Sequence, residues 1–364
     1  MSVVLERQTD ATTKFRIIDS DIHPALSSPR DLDPFLSARW RQHIAEYGKL
    51  TRKPYAERGT YPRFMPNTAR RDAWPPGGKP PGSDLAFMRA QLLDRYDIEI
   101  GILEPLFGAS EVRNPDLAAA LCSAVNDWQM AALVSQEPRL RASIQVPIED
   151  PVAAVAEIER CVANRAYAQI QMTSRSTEPI GRRRYWPIFE AAERHGLPIG
   201  MHVGGDSGHA PTAAGWPSFY IEDHHGLVHA MQCQATSLIL EGVFERFPGL
   251  KVILIEGGFA WAPSLAWRLD AQFAKMRSEV PHLKMKPSEY MKRNLWFSTQ
   301  PMEEPENPED LRRILDWIGL DRIVFATDYP HWDFDDPETA FPCKLSAGER
   351  RMIFRENALG IYRL

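Results

Sequence analysis

Cysteine is scarce, with four in 364 residues. Cys122, Cys161, Cys233 and Cys343 stand far apart and form no CxxC pair. That spacing excludes a disulfide framework and a thiolate zinc motif, and it points to reduced, mostly buried thiols of a cytosolic protein. A dominant charge is also missing. A formal net charge of -5 and a pI near 6.1 offer no general attraction to phosphate backbones. Arg182-Arg183-Arg184 is the one basic block, so nucleic acid is not an expected partner. The opening Met1-Ser-Val-Val-Leu-Glu-Arg lacks the apolar stretch of a signal peptide, and no later apolar run is expected to reach bilayer length. A soluble, cytoplasmic protein without a membrane partner is therefore expected.

What is present is enough apolar sequence for one large core: 44% hydrophobic against 25% charged residues. A chain of this size can be a single domain over 1–364. Short apolar runs alternate with helical patterns. The runs are Phe15 to His23, Ile100 to Glu104, Ala142 to Val146, Ala168 to Met172, Pro198 to His202, Lys251 to Glu256, Leu295 to Ser298 and Arg322 to His331. Each suits a buried parallel strand. Amphipathic helices are expected at Val152 to Val162, Trp186 to Arg194, Ala230 to Phe247, Ala262 to Met276 and Pro308 to Ile318. Eight strands alternating with helices define an α/β fold, a (β/α)8 TIM barrel. The stretch from about 31 to 82 breaks this rhythm. Its second half, Lys53 to Pro81, is rich in proline, glycine and arginine, which predicts an irregular insertion after the first strand.

Two of the runs turn polar where a barrel presents its catalytic groups, at the C-terminal ends of strands. Asp21 and His23 lie two residues apart, and in an extended strand both side chains then point to one face. Alone, such a pair more often caps a strand or turn than binds an ion. His202 ends the fifth run and Asp328 the eighth, and a barrel gathers the ends of strands one, five and eight on one rim. Two imidazoles and two carboxylates suit one divalent ion, zinc or a first-row relative such as manganese, with positions left for water or substrate.

These residues carry a resemblance to the amidohydrolase superfamily. Within it the chain resembles the amidohydrolase-2 group, which includes aminocarboxymuconate-semialdehyde decarboxylase, resorcylate decarboxylase and related ring-cleavage hydrolases. The match runs through Ile18-Asp19-Ser20-Asp21-Ile22-His23, Trp186-Pro187-Ile188-Phe189, Gly196 to His202, Gly242 to Pro248, Glu256-Gly257-Gly258 and Phe325 to His331. It implies a metal-dependent barrel with Asp21, His23, His202 and Asp328 as ligands, a small-molecule substrate, and a homo-oligomer, dimer or tetramer. The group's decarboxylases place a histidine at the end of strand six as general acid/base, where this chain has Glu256. On that ground hydrolysis by metal-activated water is ranked first, with Asp328 and Glu256 moving protons. Non-oxidative decarboxylation of an aromatic or muconate-type acid is the alternative, and a non-catalytic metal-binding scaffold stands third.

Other polar groups extend the site. Glu222-Asp223-His224-His225 is read as part of a long loop at the barrel mouth, where His224 or His225 could replace the missing base, with His225 ahead. His331 is close enough to Asp328 to meet substrate or to support the aspartate. Arg268 resembles the carboxylate-binding arginine of decarboxylase relatives, which some offer across a subunit interface, its bland alternative being a pair with Asp270 or Glu241. Trp261, with Trp216, Phe219, Tyr220 and Trp332, points to a flat aromatic or apolar substrate.

Overall fold

The computed structural model describes residues 16–52, 62, 64–205 and 207–364. Phe15 and residues 53–61 and 63 of the expected insertion lie outside the described residues. Eight parallel strands form one sheet in chain order: β1 (Ile17–Ile22), β2 (Ile98–Leu103), β3 (Leu140–Gln145), β4 (Tyr167–Thr173), β5 (Ile199–His202), β6 (Val252–Ile255), β7 (Leu295–Ser298) and β8 (Ile323–Val324). Every expected run supplies a strand. β5, β6 and β7 are buried at every residue, which is why they read as unbroken apolar runs rather than as alternating patterns.

The sheet curls until β1 meets the segment after β8. Ser20 N–H donates to Phe325 O at 2.9 Å and His23 N–H to Tyr329 O at 2.7 Å, and Ile22 bridges Tyr329 in parallel. Asp19 fastens the seam: its carboxylate accepts from Thr327 N–H at 3.0 Å and from Thr327 Oγ1 at 2.6 Å. The polar ends of the first and last strands are thereby fixed side by side.

Four helices begin and end within one residue of expectation: Pro151–Cys161, Trp186–His195, Trp261–Met276 and Pro308–Ile318. The fifth does not. It runs from Tyr220 to Leu240, and Val243–Arg246 is a separate turn, because Gly242 takes a left-handed φ of 80° that ends a helix at no steric cost. Its start was hidden by the polar Glu222-Asp223-His224-His225, which has no apolar stripe. Contrary to expectation, one helical stretch, Pro115–Val134, is long and apolar enough to cross a bilayer. Yet 61% of its most apolar window is buried within the protein, as befits a core helix.

The insertion is not wholly irregular. It opens with a 3-10 helix at Pro29–Phe35, capped by Ser28 and Asp31, and continues as a helix at Ala38–Tyr47. Further on it pairs with the segment after β8: Ala69 bridges His331, Arg70 N–H donates to Pro330 O, and Trp332 N–H donates to Thr68 O at 2.7 Å. Behind the same segment Phe325 stacks on Phe354, centroids 4.2 Å apart, both fully buried. Phe354→Ala is expected to cost about 3–5 kcal/mol in urea unfolding, since it opens a cavity behind the closing strand.

Candidate metal centre

Asp21, His23, His202 and Asp328 converge at the C-terminal end of the barrel, all essentially buried. His23 Nε2 lies 3.1 Å from Asp21 Oδ1 and 2.7 Å from Asp328 Oδ1. His202 Nε2 lies 3.8 Å from Asp21 Oδ2 and 2.9 Å from Glu256 Oε2. Both imidazoles are oriented from behind. His23 Nδ1 donates to the carbonyl of Glu104 and His202 Nδ1 to that of Val203, each at 2.7 Å. A carbonyl only accepts, so the proton sits on Nδ1 and both Nε2 lone pairs face the cluster, as in histidines that hold metals.

The donor set fits a divalent cation. Both oxygens of Asp21, His23 Nε2 and His202 Nε2 are buried, and despite short contacts none makes a hydrogen bond of acceptable geometry. Leaving that many polar atoms unsatisfied is costly unless an ion meets them. Asp21, His23, His202 and Glu256 each offer a ligand atom within 4.8 Å of the others, and His23, Glu256, Asp328 and His331 form an overlapping group. The cluster is one that can hold a metal ion.

Electrostatics point the same way. Burial pushes the Asp328 carboxyl well above its usual value, and nearby Glu256 adds to the shift. Burial alone would lower His23, but Asp21 and Asp328 outweigh it and hold the imidazole well above its ordinary value. The same negative field attracts a divalent cation. His331 is pushed well down by burial and by His23, His202 and His224. It is a neutral ring, stacked on His23 at 4.3 Å, with Nδ1 2.6 Å from Asp328 Oδ1.

Glu256 and Asp328 have left-handed φ values of 58° and 61°. Non-glycine residues rarely adopt that region, and such strain concentrates at functional sites. Glu256 N–H is held by Ser298 Oγ at 3.0 Å.

On the far side of Glu256 stand His224 and Asp333, which with it form a third group of potential ligands. His224 Nε2 lies 3.5 Å from Asp333 Oδ2, an ion-pair distance without directed hydrogen-bond geometry. The imidazole sits beside the rings of Tyr220 and Trp332, each 5.7 Å away. Asp333 raises its pKa. The helix reaches this point because Gly257 carries no side chain: a Cβ there would lie 2.8 Å from Met231 Cγ.

Three expected residues lie elsewhere. His225 is on a helix, not a loop, and consecutive helical residues diverge by about 100°. It is exposed and meets the ring of His229 at 4.8 Å, while His224 faces the site. Trp261, half-buried, turns its indole N–H onto the carbonyls of Gly257 and Gly258 at 2.9 and 3.1 Å, bracing the turn after Glu256 rather than offering a polar group to a ligand. Arg268 is exposed on its helix. Asp270 does not pair with it but accepts from Ser288.

Some site residues went unread. Asp333 follows Asp328 by five positions in a stretch quoted only as far as His331. Gln300 donates to Asp328 Oδ2 and to the Asp333 carbonyl, both at 3.2 Å. Glu104 is fully buried, with one oxygen accepting from Ser143 Oγ and Gln169. Its position one residue past β2 gave the same strand-end signal as Asp21.

The sequence profile of the amidohydrolase-2 family matches residues 18–364, and the chain belongs to that family. It is 27% identical over 299 residues to a gamma-resorcylate decarboxylase of a Polaromonas species, covering 77% of this chain and 88% of that one. A 5-carboxyvanillate decarboxylase from Sphingomonas paucimobilis superposes with a TM-score of 0.69 at 22% identity, over 96% of this chain and all of that one. A dihydroxybenzoic acid decarboxylase from Polaromonas, solved with manganese and 2-nitroresorcinol, gives a TM-score of 0.66 at 22% identity, covering 95% and 96%.

Proposed function

We propose that this protein is a metal-dependent, non-oxidative decarboxylase of a hydroxylated aromatic acid. This reverses the order in which hydrolysis and decarboxylation stood on sequence grounds, where the missing strand-six histidine decided. The observation that carries it is the imidazole of His224, which arrives from the neighbouring helix beside Glu256 and restores the acid/base that seemed lost. The decarboxylases among the chain's relatives support the same reading, and the manganese of the Polaromonas enzyme supports manganese over zinc.

In the reaction the bond between ring carbon and carboxylate breaks, the electron pair stays on the ring carbon, a proton takes the vacated position, and carbon dioxide leaves. A divalent ion held by Asp21, His23, His202 and Asp328 would supply an electrophile for the substrate's carboxylate and adjacent hydroxyl. The chain's own residues do the rest. His224, 27% exposed at its side chain, takes protons from solvent; Asp333 keeps it charged; and Glu256, 10% exposed, passes the proton inward to the ring carbon. His331 and Gln300 hold Asp328 in place.

The test is to incubate manganese-loaded protein with a panel of hydroxybenzoates in D2O. Carbon dioxide release with deuterium at the carbon that bore the carboxylate is expected, and chelation should abolish it until manganese is restored. Release of an amine or a new acid without carbon dioxide would return the reading to hydrolysis.

A further inference from the structure

A cavity of about 450 Å3 opens beside the metal centre, and His23 and His331 form the wall the two share. Its lining is more apolar than polar: Leu32 from the 3-10 helix of the insertion, Leu106 and Phe107 from the loop after β2, and Leu121 and Val125 from the Pro115–Gln129 helix, with Ser27, Ser28 and Asn67 beside them. Leu121 and Val125 are four residues apart and share one helix face. Among the described residues Lys49 is the one lysine, arginine or acidic side chain of the lining, and it is exposed.

Protein interiors are close-packed, so an apolar space of this size next to a reactive centre is a ligand chamber. A benzene-sized ring occupies roughly 150 Å3. An unsubstituted ring alone would thus leave about two thirds of the chamber empty.

We infer that the substrate is an aromatic acid carrying an extended apolar substituent, an alkyl chain or second ring, which fills this chamber while the carboxylate faces the metal centre. The inference rests on the decarboxylase reading above. Each methylene moved from water into the chamber is expected to raise kcat/KM about fourfold until the space is full, and the His331 ring marks the boundary between the reacting and the apolar ends of the ligand.

The experiment compares hydroxybenzoates bearing hydrogen, methyl, propyl or pentyl substituents meta or para to the hydroxyl group, with carbon dioxide release as readout. The expected result is a kcat/KM that climbs along the best positional series, by more than tenfold from parent to pentyl. Val125→Phe, which intrudes on the chamber, should cut the pentyl-to-parent ratio at least tenfold. Leu106→Trp, on a loop and 43% exposed, tests the same space where overpacking cannot unfold the core. Equal kcat/KM across every series, or ratios unmoved in both folded variants, would overturn the inference while leaving decarboxylation standing. Absence of carbon dioxide from every acid would sink the decarboxylase reading itself.

Discussion

Asp328→Asn is expected to lower kcat by on the order of a thousandfold while the fold survives. The change removes a charge that faces the ion, yet it keeps the shape and one oxygen that can still accept from Gln300. Its backbone role at the seam persists, because Asp328 N–H still donates to Asp21 O at 3.1 Å. Stability should move in the opposite direction from activity. A carboxyl whose pKa burial has raised stabilises the fold below its ordinary value near 3.8, and that contribution disappears as pH rises through the raised value. In the metal-free wild type that loss of stability builds as pH rises above 3.8, and asparagine, which does not titrate, escapes it. In urea unfolding of chelated protein, Asp328→Asn should be at least as stable as wild type at pH 6 and gain on it at pH 8. A variant that unfolds more readily than wild type at both values would show that Asp328 serves the fold rather than the chemistry.

The centre was legible where the sequence obeys a single rule: an apolar run that ends in a polar residue at a barrel rim. Asp21, His23, His202 and Asp328 all follow it, and the barrel's connectivity then brings them together. Glu104 follows it too, although nothing in the sequence separated it from a carboxylate buried for packing. The rule fails for groups carried by other elements. His224 and His225 are adjacent in the chain, and only the phase of a helix decides which one faces Glu256. That phase was hidden because the helix begins in a polar stretch. Asp333 is placed by the loop that Gln300 and the insertion hold, a tertiary arrangement with no local signature. The apolar chamber is equally nonlocal, since its walls come from three segments whose leucines and valines read as ordinary core.

Asp333→Asn separates a proton relay from a purely structural ion pair. In the wild type Asp333 holds the His224 imidazole above its usual value of 6.5, so His224 keeps its proton to higher pH than a free imidazole does. Asparagine leaves the packing but removes the charge, and the imidazole then falls back toward its ordinary range. A histidine that must be protonated to feed Glu256 therefore loses competence at lower pH in the variant. The alkaline limb of the kcat profile should shift downward, with a larger loss at pH 8 than near pH 6. His224→Ala should lose activity at both values and show no such limb, since nothing remains there to titrate. If Asp333→Asn instead lost the same factor across the whole profile, the aspartate would only position the helix, and Glu256 would have to take its proton by another route.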